Sequence, residues 1–120
     1  MKQHFISGFS LLEILIALAI ISGVMLAVIQ YQTVHLTQIY QTYLKTQAII
    51  QIESMLERLR ANSSTSTRLR EYNEWNSENL NLLPQGHGNY SCENKTQYCT
   101  VQVTWNAKGP QAAAISALVY

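Results

Sequence analysis

The chain has 120 residues, of which 48% are apolar and 12% charged, and its formal net charge is +1. That length allows one small domain beside any membrane segment, and so near-neutral a balance argues against a chain built around a polyanion. Seven Glu and no Asp leave few pairs of carboxylates for acid–base chemistry.

A short polar leader, MKQHFISG (1–8), comes first. Residues 9–29 follow, in which only Ser10, Glu13, Ser22 and Gly23 are not plainly apolar. Such a run meets the length criterion for a membrane-spanning helix and exceeds a secretory h-region. In an ordinary signal peptide the small-residue cleavage site follows the apolar run; here the small residue Gly8 precedes it. Cleavage at Gly8 would retain the apolar helix and give it a new N-terminus at Phe9. Lys2 lies before the span and the next basic residue is Lys45, which favours a cytoplasmic N-terminus with the remainder outside the inner membrane.

Residues 30–60 contain neither Pro nor Gly. Ile49, Ile52, Leu56 and Leu59 recur at steps of three and four, making one apolar stripe. Upstream, Leu36, Ile39 and Tyr43 keep a similar spacing, with a slip of register before Ile49. Arg58 and Arg60 occupy the last turn, where cations complement the helix dipole. One helix is therefore predicted over 9–60, about 78 Å long at 1.5 Å per residue, apolar all round in its first half and amphipathic in its second.

Residues 61–120 form the exported head. ANSSTST (61–67) is a break rich in cap and turn formers. Residues 68–88 read as an irregular loop, with one helical turn near Trp75 and with Trp75, Leu80, Leu82 and Leu83 as anchors. The period then changes to two: TVQVTW (100–105) alternates Val101, Val103 and Trp105 against Gln102 and Thr104. NYSC (89–92) is a short partner strand, AKGP (107–110) a turn, and AAISALVY (113–120) a closing strand. The fold class is α+β: a long N-terminal helix packed on a small antiparallel sheet.

Cys92 and Cys99 lack metal-type CxxC spacing, and an oxidising compartment favours a disulfide over half a metal site or free thiols. His35 and His87 stand alone. Arg58, Arg60, Arg68 and Arg70 form a local basic cluster, read as a solvated helix end and loop ahead of a phosphate-binding patch. NSS, NYS and NKT match the three-residue glycosylation pattern, which recurs often by chance. No nucleophile motif, glycine-rich phosphate loop or metal spacing is found, so no catalytic residue, metal or cofactor is expected.

Glu13 is the anomaly. A carboxylate deep in a bilayer costs on the order of 2.5–3.5 kcal/mol on insertion scales, although a place in the first turn benefits from the helix dipole. Cleavage at Gly8 would create an α-amino group at Phe9 that is itself costly to bury. In a staggered bundle the amine of one subunit can pair with Glu13 of a neighbour, and a wrong register would leave both charges unpaired.

GFSLLEILIALAII (8–21) resembles the prepilin signature of type IV pilins. The resemblance implies that Gly8 is read by the prepilin peptidase/N-methylase, that Phe9 becomes the methylated first residue, and that Glu13 serves assembly. MLERLRANSS (55–64), EW (74–75), LLPQGHG (82–88) and VTW (103–105) are similar to the PilV group of minor pilins. That likeness implies a low-abundance subunit that initiates or modifies the filament, with other major and minor pilins as partners through their N-terminal helices. It also implies a single-pass inner-membrane location with a periplasmic head, then a place in the surface pilus. The chain departs from many major pilins in having no Pro before Pro84 and only a small head. Two alternatives share the N-terminal signature: a minor pseudopilin of a type II secretion system, and a DNA-uptake pilin using Arg68 and Arg70 on nucleic acid.

Overall fold

A computed structural model describes residues 10–119. It contains α1 (Leu11–Ala61), α2 (Thr65–Leu82), β1 (His87–Cys92), β2 (Tyr98–Asn106) and β3 (Pro110–Leu118). The chain divides into two units, one ending at Gln38 and the other beginning at Ile39. Among the described residues the first is the first part of α1 alone. Its side chains from Leu11 to Val34 are all exposed, so nothing in the chain's own packing explains why they are apolar.

The second unit is the expected α+β arrangement. The α1 face turned to its core is Leu44, Ala48, Gln51, Ile52, Met55, Leu56 and Leu59. Ile52, Leu56 and Leu59 sit on the predicted stripe, whereas Ile49 is only half-buried. Leu36, Ile39 and Tyr43 are exposed. The slip of register seen in the sequence is thus the point where the packed face begins, at Leu44 and Ala48, rather than a flaw in one continuous stripe.

The three strands form an antiparallel sheet in the order β1-β2-β3. Cys99, Val101, Val103 and Trp105 are buried on β2 while the residues between them are not, the alternation that period two requires. The β2–β3 turn closes through the Ala107 N–H on the Gly109 carbonyl at 3.1 Å. Gly109 has φ 127°, a conformation that L side chains rarely adopt. Gln41 of α1 donates to the Ala107 carbonyl at 3.4 Å and fastens this turn to the helix.

One expectation is corrected. Residues 68–88 are not an irregular loop: most of them belong to α2, which has 18 residues. The break between helices is confined to residues 62–64. The helical period was hidden because the inward face of α2 is largely polar. Glu71, Tyr72, Trp75, Asn76, Glu78 and Asn79 are all buried or half-buried, at the three- and four-residue steps that share one helix face. Of the proposed anchors, Trp75 and Leu83 are in the core, but Leu80 and Leu82 are exposed. The helix stops where Pro84 follows Leu83, whose N–H still reaches the Asn79 carbonyl at 3.0 Å.

Candidate functional site

The candidate site is the first half of α1. Its best window of 18 residues has a mean hydropathy of 2.7, with none of it buried within the chain. The helix is long and apolar enough to cross a membrane. Exposed side chains such as Leu15, Ile20 and Leu26 form a surface too large for a soluble monomer to leave in water. Each such side chain gains roughly 1.5–3 kcal/mol when covered.

The polar groups within the segment suit an apolar medium. The Ser22 hydroxyl donates to the Ala19 carbonyl at 2.9 Å, and Thr33 does the same to Gln30 at 2.8 Å. Neither leaves an unpaired hydroxyl hydrogen, which is what a helix in lipid requires. Gly23 has open space around it: a Cβ there would meet nothing within 4 Å. Ala19, Gly23 and Ala27 recur at four-residue steps, a low-profile line along which a second helix can approach closely.

Glu13 lies in the first turn and is exposed. Its N–H bonds to the Ser10 carbonyl at 2.9 Å in the turn that opens the helix. No other Asp, Glu, Lys or Arg occurs from Leu11 to Leu44. The helix therefore presents one anion, near the positive end of its dipole, on a surface otherwise without charge. Gly8 and Phe9 lie outside the described residues.

Of the other sequence candidates, His35 is in the first unit and the rest are in the second. Cys92 and Cys99 are paired in a disulfide at the directly opposed ends of β1 and β2. His35 packs edge-on to Tyr31 with ring centroids 4.1 Å apart, and His87 begins β1 with an exposed side chain. The four arginines are not a free cationic patch. Arg58 forks onto Glu78 at 2.8 and 3.0 Å and reaches Glu71 at 3.5 Å. Arg68 donates to the Asn62 carbonyl at 2.6 Å and the Leu59 carbonyl at 3.5 Å, capping the end of α1. Arg60 pairs with Glu57, and Arg70 lies 3.6 Å from Glu71 and 3.9 Å from Glu74. Arg68 and Arg70 are carried by α2, not by a loop.

Reading the sequence missed Tyr72, Asn76, Glu71 and Glu78, which join α2 to the rest of the head. Their spacing was a usable signal, but only if polar residues are allowed to form an inward face. Fold and segment together define an α+β protein whose described residues include one candidate membrane-spanning helix. No family model, curated protein or solved structure matches the chain.

Proposed function

We propose that the chain is a minor type IV pilin, a structural subunit that enters a pilus through its N-terminal helix and helps to initiate or modify it. The observation that carries this reading is Glu13, in the first turn of α1, the one Asp, Glu, Lys or Arg of its apolar, exposed first half from Leu11 to Val34, four residues after Phe9 and five after Gly8. Removal of residues 1–8 by a prepilin peptidase/N-methylase would place a cationic amine on Phe9. In the filament that amine pairs with the Glu13 carboxylate of an adjoining pilin, because two charges leaving water together must satisfy each other. The apolar surface supplies the packing area, and the charge pair fixes the axial register.

The head would lie in the periplasm before assembly, where an oxidising environment maintains Cys92–Cys99. Its role is interaction rather than catalysis. The engagement of Arg58, Arg60, Arg68 and Arg70 with this chain's own carboxylates and carbonyls favours this reading over a DNA-uptake role. Salt-dependent DNA binding that is lost in Arg68→Ala/Arg70→Ala would reverse that preference. The test of the assembly role is Glu13→Ala in the native host. The variant should insert and be cleaved but be depleted from sheared filaments, and undiminished recovery there would refute the role.

A further inference from the structure

The two edges of the sheet are treated differently. At the start of β1 the edge is engaged by α2: the Gly88 N–H donates to Asn76 Oδ1 at 2.7 Å, and the Gly88 carbonyl accepts from the Tyr72 hydroxyl at 3.1 Å. Gly88 stands opposite Val103, so in this pair neither backbone bonds the other, and the alternation of an antiparallel ladder sets the rest. Val103 bonds instead toward its partner Ala113. Ala112, Ala114 and Ser116 consequently point their N–H and C=O groups away from the sheet. The Arg60 Nε donating to the Leu118 carbonyl at 3.2 Å confirms the direction and closes that end.

Between those limits β3 is an open template. It pairs with β2 without interruption from Pro110 to Leu118, so no bulge turns it away, and it carries no charged residue. Those are the devices by which an edge is normally protected, and only Pro110, at its start, is present. Two hollows open between α1 and this strand. One, of about 350 Å³, is lined by Glu53, Glu57 and Ile115 among others. The other, of about 230 Å³, is lined by Lys45, Trp105 and Gln111 among others. Among the described residues, Glu57 is held by Arg60, but neither Glu53 nor Lys45 has an ion-pair partner, and the Trp105 Nε1 is buried without an acceptor.

We propose that the β3 edge receives an extended segment of a partner protein as a fourth strand. That segment carries a basic side chain at the Glu53 end and an acidic one at the Lys45 end. Main-chain bonds to Ala112, Ala114 and Ser116 supply affinity, and the charges flanking the edge supply choice of partner. A second copy pairing through its own β3 is the poorer occupant, because that strand has no charge to offer Glu53 or Lys45. The inference stands independently of whether the chain enters a pilus.

The test uses the full chain in detergent micelles and three blocked peptides of alternating threonine and valine, with Lys, Thr or Glu at the centre. The lysine peptide should slow hydrogen exchange at the amides of Ala112, Ala114 and Ser116 and bind about threefold more tightly than the threonine peptide, as an exposed ion pair allows. Glu53→Lys, a change at an exposed helix position, should invert the order of the lysine and glutamate peptides. Ala114→Pro, which removes one outward N–H, should abolish the protection while the near-UV spectrum of the head is retained. Failure of every peptide to protect these amides overturns the proposal, as does an order indifferent to Glu53→Lys. Protection without peptide, accompanied by a dimer in sedimentation, overturns it in favour of a second copy.

Discussion

The indole N–H of Trp75 donates to the backbone carbonyl of Gln51 at 2.8 Å, joining α2 to α1 inside the core. Trp75 is fully buried, so the same ring provides both packing and a directional bond inside the core that orients α2 on its neighbour. Trp75→Phe keeps much of the volume and loses the bond, and should cost about 1 kcal/mol. Trp75→Ala also leaves a cavity and should cost roughly 3–5 kcal/mol. Urea unfolding of the detergent-solubilised chain, followed by near-UV circular dichroism, measures both; equal losses would contradict the assigned roles.

Gly88 depends on the same ring. A Cβ at this position would collide with Trp75 and lie 2.8 Å from Asn79 Nδ2. Gly88→Ala should therefore destabilise the head by roughly 1–3 kcal/mol, as overpacking does. A neutral result would mean that α2 can move away from β1 without loss.

Arg58 is the electrostatic counterpart. Its fork on Glu78 and its approach to Glu71 connect the last turns of α1 to both ends of the inward face of α2. The Arg58 side chain is 23% exposed, and paired geometry strengthens such bonds. Arg58→Met should cost about 1–2 kcal/mol, more than an exposed ion pair. The loss should shrink only modestly in high salt, because partly buried pairs are weakly screened. A penalty that vanishes at high salt would place the pair effectively in solvent.

How far the sequence could be read follows from these contacts. The strands were legible because Val101, Val103 and Trp105 alternate with polar residues, and the packed half of α1 because Ile52, Leu56 and Leu59 recur on one side. α2 was not, since its inward face is built from groups that hydrophobic periodicity counts as exposed. Glu71 and Glu78 answer Arg58, Asn76 and Tyr72 answer Gly88, and only Trp75 is a large apolar anchor. Partners distant in sequence decide such a face, so it cannot be recognised locally. Glu13 stands out in the sequence for the opposite reason: a lone charge in an apolar run needs no partner to be conspicuous. The open edge of β3 lay beyond the sequence, because which backbone groups point outward depends on the register of all three strands.

The disulfide closes a short loop, with Cys92 and Cys99 separated by 7 positions. On the chain-entropy relation a loop of that size contributes about 2.5 kcal/mol. Cys92→Ser/Cys99→Ser should lower head stability by that order, with the loss read as faster proteolysis of residues 87–106. Unchanged resistance would mean that the β1–β2 hairpin is held by α2 alone.

We propose that Gly8, Phe9 and Glu13 belong to a processed, assembling helix. The most direct measurement is the intact mass of the chain extracted from its native membrane without reductant. A processed pilin subunit has a mass lacking residues 1–8, increased by one methyl group and reduced by two hydrogens for Cys92–Cys99. A full-length, unmethylated chain would contradict it, leaving Gly8 and Glu13 a coincidence and the protein a membrane-anchored domain of another kind.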